Sequence, residues 1–195
     1  MILDVKNEMK RIIQIVKSDQ ASDGSWAYPF ETGIKTDAWM IILLRSLEIN
    51  DEELIQSLVR RIVSKQEKNG VWKLFDDEKN GNLTATVEAY YALLYSGYRQ
   101  KNDKEMLAVK RQILALGGME NVHLFTKIML ALTGQYQWPR YFPLPPEIIL
   151  FPLSFPINYF DISVFGRANL TPILIVGNKK FSLKTTRSPN LQELF

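Results

Sequence analysis

Apolar side chains recur every three or four residues through most of this 195-residue chain, and the spacing predicts helices over 2–18, 36–49, 51–67, 83–97, 103–116 and 121–134, with a further short one over 162–175. The helices are of two kinds. Ala38-Trp39-Met40-Ile41-Ile42-Leu43-Leu44 and Ala89-Tyr90-Tyr91-Ala92-Leu93-Leu94 are apolar nearly all round, whereas 51–67 and 103–116 each carry one charged face. Helices buried on every side therefore alternate with helices wet on one side. That alternation predicts an all-α fold of the α/α-barrel type, with an inner and an outer ring. Thr36-Asp37 and Asn50-Asp51 offer N-cap chemistry, and Gly97, Gly117 and Gly134 stand where helices should stop.

Two of the helix-to-helix connections carry the same motif. Gln20-Ala21-Ser22-Asp23-Gly24-Ser25-Trp26 and Gln66-Glu67-Lys68-Asn69-Gly70-Val71-Trp72 both read Q-x-x-x-G-x-W and lie 46 positions apart, each between apolar helices. This predicts an internal repeat of helix pairs. Gly24 and Gly70 let the chain leave a helix through a left-handed or otherwise restricted backbone state. Trp26 and Trp72 are expected to bury their indoles, and Gln20 and Gln66 to stack on them while reaching helix-terminal backbone groups.

After Gly134 the composition changes. Trp138–Phe160 holds six prolines and seven aromatics, with Arg140 and Glu147 its only charges. Proline at that density forbids a continuous helix, so the stretch is not a membrane span. It must be buried against protein or face a lipid or apolar ligand, and burial is the commoner outcome. The expected organisation is a partial α/α barrel over 1–177 carrying both repeats, followed by a polar, basic linker over 178–195.

Composition narrows the chemistry. There is no cysteine and one histidine, which excludes disulfides, thiol nucleophiles and cysteine-ligated zinc, and leaves only His123 for a Ser-His-Asp site. His123, at a helix start, reads as structural. The net charge of +3, without clustered Lys and Arg interleaved with aromatics, gives no support for nucleic-acid binding. Lys6, Glu8, Lys10 and Arg11 interrupt any N-terminal apolar run, so a cytoplasmic setting is expected.

Several segments together resemble the squalene–hopene cyclases, and among them the sporulenol-synthase branch. They are the doubled Q-x-x-x-G-x-W, Gly81-Asn82-Leu83-Thr84-Ala85-Thr86-Val87-Glu88-Ala89-Tyr90, the run from Phe125 to Trp138, Pro145-Pro146-Glu147, Pro156-Ile157-Asn158 and Gly166-Arg167. The resemblance covers residues 6–181. It implies a class II terpene cyclase: two α/α barrels around an apolar cavity, in which an aspartic acid of a D-x-D-D motif protonates an alkene of a long polyprenyl hydrocarbon and aromatic faces stabilise the travelling cation. No metal or other cofactor is implied. It further implies that Phe125, Met129 and Phe165 stand at cavity-lining positions, Met129 and Phe165 where relatives carry tryptophan. The sequence contains no D-x-D-D, so the chain is expected to be the N-terminal part of such an enzyme, lacking the catalytic acid and inactive alone, with a C-terminal barrel as partner. Self-association through an uncovered apolar face and peripheral contact with the inner face of the cell membrane are also expected. The alternative is a free-standing, non-catalytic α/α barrel that binds a lipid or a partner.

Other enzymatic readings are weaker. Asp76-Asp77-Glu78 approaches the magnesium-binding D-D-x-x-D, but Asn80 takes the fifth position and a capping role in a loop fits better. A glycosidase needs two facing carboxylates, and the spacing of Glu31, Asp37 and Glu88 singles out no pair. A protein-prenyltransferase barrel needs zinc ligands that this composition scarcely supplies.

Overall fold

The computed structural model describes residues 2–27, 33–75, 77–139, 145–156 and 158–195, and among them it contains seven α-helices and no strand. Two compact units are present, Met1–Glu31 and Thr32–Phe195. The first holds α1 (Ile2–Ser18), an amphipathic helix ending in the first repeat corner. The second holds α2 (Lys35–Ser46), α3 (Glu52–Ser64), α4 (Leu83–Ser96), α5 (Lys104–Ala115), α6 (Leu124–Leu132) and α7 (Val164–Asn178).

Helix α4 is the axis of the second unit. Every residue from Ala85 to Ser96 is buried, and the helix packs against α2, α3 and α5. α3 buries only Ile55, Val59 and Ile62, and α5 only Met106, Val109 and Ile113, so each turns one stripe inward and its charges outward. α4 is thus the all-round buried helix and α3 and α5 the half-wet ones that the sequence predicts, whereas α2, expected to be buried all round, leaves Met40 and Leu43 exposed. Asp51 caps α3 by accepting from Leu54 N at 3.1 Å, Asn82 caps α4 by accepting from Ala85 N at 2.9 Å, and Gly97 ends α4 at φ 85°. The start of α2 differs from expectation. It begins at Lys35 behind Ile34 with no side-chain cap, and Asp37 lies inside the helix, 3.3 Å from Arg61 Nε of α3. A short acidic side chain at the third position of α2 reaches the neighbouring helix rather than its own N-terminus.

The two repeat corners match bond for bond. Gln20 Nε2 donates to Gly24 O at 2.8 Å and Gln66 Nε2 to Gly70 O at 3.0 Å. Ala21 N donates to Ser25 O and Glu67 N to Val71 O, each at 2.9 Å. Trp26 Nε1 donates to Val16 O and Trp72 Nε1 to Ile62 O, each at 2.7 Å. Ser18 and Ser64, also 46 apart, return their hydroxyls to the carbonyls three residues earlier at 2.8 Å. Gly24 and Gly70 stand at φ 84° and 89°, where a Cβ is strained. The indole, rather than the glutamine expected, reaches a last-turn carbonyl of the preceding helix, while the glutamine closes the loop on itself. Burial separates the copies: Trp72 is fully buried and Trp26 is 46% exposed, against the expectation that both are covered.

The last third corrects two expectations. In the Pro-rich segment short 3-10 helices form at Pro146–Leu150 and Tyr159–Asp161, no residue of either is buried, and Leu150 and Leu153 are 81% and 73% exposed. Tyr141, Phe142 and Pro143 fall outside the described residues. Residues 178–195, expected as a polar linker, fold back onto the helices. Leu191 and Leu194 are fully buried in the main core, and a short 3-10 helix over Gln192–Leu194 packs on α5.

Candidate functional site

Beside α6 lies a cleft of about 1140 Å³. Leu124, Phe125 and Ile128 of α6 form one wall, Trp138 and Pro139 the next, and Leu170 and Ile173 of α7 a third; Gln192 and Phe195 complete it. Trp138 is held by its Nε1, which donates to Phe181 O at 2.7 Å. Polar groups gather at Tyr136, whose hydroxyl donates to Glu120 at 2.6 Å and whose ring lies 5.7 Å beneath Lys127 Nζ and stacks on Phe195. The hydrogen bond to Glu120, helped by burial, pushes the Tyr136 hydroxyl up to about 12.

The first turn of α6 is fixed from its other side. His123 N donates to Thr84 Oγ1 at 3.0 Å, His123 caps α6 through Nδ1 and stacks on Phe125, and the Thr126 hydroxyl donates to Glu88 Oε1. Glu88 is fully buried, with Lys35 Nζ 3.8 Å from the same oxygen. Burial raises the Glu88 carboxyl above its ordinary value, outweighing the Thr126 hydroxyl, the Lys35 ammonium, Trp39 and His123, all of which favour the charged form. Thr84 and Glu88 are one turn apart on α4, so a single polar stripe on an otherwise apolar helix clamps α6 and sets the direction of Phe125.

The three cavity-lining positions implied by the resemblance are placed differently. Phe125 faces the cleft. Met129, 7% exposed, packs in the core and is not among the residues that line the cleft. Phe165, at the start of α7, is 81% exposed. Trp138, Leu170 and Ile173 line the wall without a strong sequence signal, since α7 is apolar enough that no stripe stands out. For Glu88 the available signal is an acid on a helix face that reads as wholly buried, not membership of a carboxylate pair.

The acidic candidates are occupied structurally. Glu78 accepts from Leu74 N at 2.7 Å and from Asn82 Nδ2 at 2.7 Å, fixing the loop before α4; Asp76 lies outside the described residues. Asp37 pairs with Arg61 and Glu88 with Lys35, and neither lines the cleft; Glu31 lies outside the described residues. Among the described residues no group of three or more His, Asp or Glu is arranged to hold a metal ion.

Residues 9–195 match the family described as the squalene–hopene cyclase N-terminal domain. Among its relatives the chain is 35% identical over 192 residues to sporulenol synthase of Bacillus subtilis, covering 97% of this chain and 30% of that protein. It is 31% identical to squalene-hopene cyclase of Schizosaccharomyces japonicus over 98% of this chain and 29% of that protein. It is 29% identical to squalene–hopene cyclase of Alicyclobacillus acidocaldarius over 95% and 30%. The chain belongs to the squalene–hopene cyclase family and corresponds to its N-terminal region. It spans about 30% of the length of these relatives.

Proposed function

We propose that this chain supplies one wall of the apolar cavity of a class II terpene cyclase, acting on a long polyprenyl hydrocarbon such as squalene or a C35 terpene. The observation that carries the reading is the cleft beside α6, where Phe125, Ile128, Trp138, Leu170 and Ile173 meet. Aromatic faces suit a reaction in which positive charge moves along a hydrocarbon, because the ring quadrupole attracts a cation and cannot be alkylated as readily as a lone pair. The protonating acid of such an enzyme must be held neutral until it acts. No D-x-D-D motif occurs in this sequence, so in this reading the acid comes from a C-terminal barrel and the present residues do not cyclise alone. Phe125 is the residue proposed to touch substrate. Met129 supports it from the core, and Phe165 faces the second barrel or the substrate once that barrel is in place.

Complementation tests this. The chain is incubated with squalene, and separately with a C35 polyprenyl hydrocarbon, with and without a cyclase C-terminal barrel carrying D-x-D-D. Cyclised product is expected only from the mixture, with Phe125→Ala lowering it at least tenfold. Product from this chain alone would overturn the assignment of the acid, and an unchanged rate in Phe125→Ala would overturn the wall.

The exposed apolar residues Leu150, Leu153, Phe160, Val164 and Phe165 favour a second reading for that surface, contact with the membrane that holds the hydrocarbon. Among the described residues no helix is long and apolar enough to cross a membrane, so the contact would be peripheral.

A further inference from the structure

The segment after α7 crosses back over three helices and makes a polar or apolar attachment at each. Leu183 N donates to Leu132 O of α6 at 2.7 Å, and Tyr95 of α4 shares hydrogen bonds with Thr185 at 2.8 Å and Ser188 at 3.0 Å. Leu191 N donates to Gln135 Oε1 at 3.2 Å. The backbone runs so close to Gly118 that a Cβ there would lie 2.8 Å from Leu194 O. Between the buried Leu191 and Leu194 stands Glu193, and it is the one acid of the segment. The Tyr90 hydroxyl of α4 donates to its Oε1 at 2.8 Å, while Lys101 Nζ, from the turn before α5, and Lys110 Nζ of α5 lie 3.1 and 3.8 Å from its Oε2. Lys101 also donates to Asn190 O.

We propose that residues 181–195 are a strap that forms one wall of the α6–α7 cleft, and that Glu193 is the positioning residue that fixes it in place. The argument is geometric. Glu193 is flanked on one side by Gln192 and two residues on by Phe195, and both of these line the cleft. Phe195 reaches it by stacking on Tyr136, 5.8 Å between ring centres. A carboxylate fastened by one hydroxyl and two ammonium groups from two elements fixes the strap's register, and the register fixes where Phe195 sits. Burial alone would raise the Glu193 carboxyl, but Tyr90 and the two lysines more than offset it and hold it below the ordinary value, so the latch is charged at neutral pH. The wall role rests on the reading of the cleft as the substrate-facing surface; the latch does not.

Amide hydrogen exchange and binding of pyrene, followed by energy transfer from Trp138, test both parts on the whole chain, with Trp138→Phe as the control for the other tryptophans. Glu193→Gln keeps the shape and a bond to Tyr90 but loses the ion pairs, and Lys101→Met loosens the latch from the opposite side. Both variants are expected to keep parental helix content by circular dichroism, to exchange their 185–195 amides about tenfold faster with α4 unchanged, and to bind pyrene several-fold more weakly. Unchanged exchange in both variants would overturn the latch. Faster exchange with unchanged pyrene binding would overturn the wall role while leaving the apolar cleft standing. No Trp138-dependent transfer in the parent would remove the cleft reading and the wall role with it, and the exchange data would still show whether Glu193 holds the strap.

Discussion

At the scale of single residues, Trp26 and Trp72 provide an internal comparison. They make the same hydrogen bond to the same place in the preceding helix, yet one is half-exposed and the other fully buried. Trp72→Ala should therefore destabilise the second unit by about 3–5 kcal/mol, the range for truncating a buried large aromatic. Trp26→Ala loses the bond and only part of the burial, and should cost about 1–2 kcal/mol, felt in α1 alone. Denaturant melts for the first variant and exchange rates at the end of α1 for the second would check this; equal effects would mean that Trp26 is covered in solution.

At the scale of elements, the joint between α4 and α6 depends on Glu88. An acid whose folded pKa is raised stabilises the fold while protonated, fully so below its unfolded value, and that contribution is lost as pH rises through the folded value. The ordinary value is 4.5 and the shift is upward, so the loss begins in the normal carboxylate range and continues above it. Glu88→Gln keeps an acceptor for Thr126 without the charge, and its melting temperature should fall less than the parent's as pH is raised from 4 toward neutrality. Parallel profiles would show that Glu88 is not the titrating group. Most element positions were legible because periodicity and caps agreed: Asp51 and Gly97 act where the sequence put them. The N-cap at Thr36-Asp37 failed because a tertiary partner, Arg61, competed for Asp37. Residues 178–195 failed for a different reason. Only Leu191 and Leu194 are buried there, and the scattered apolar residues of that polar run carry no period by which those two could be recognised. The cleft was half legible: Phe125 came from the resemblance, while its facing walls are assembled from segments distant in sequence.

At the scale of the whole molecule, the exposed apolar residues of 150–165 precede Lys179, Lys180 and Lys184, all exposed. Co-sedimentation with anionic liposomes is expected at low salt, to weaken as salt screens the lysines, and to drop several-fold in Leu150→Ser/Phe165→Ser. Recovery of all the folded protein in the supernatant at low salt would count against a membrane-facing surface. The bonds of the repeated corner close within about ten residues, and they are the same whether the tryptophan is sheltered or wet. A corner whose own bonds are local can be copied along a gene together with its helix and keep those bonds where it lands. A lineage that lengthens its barrels by duplication can then add a turn first and refine the neighbouring surfaces afterwards.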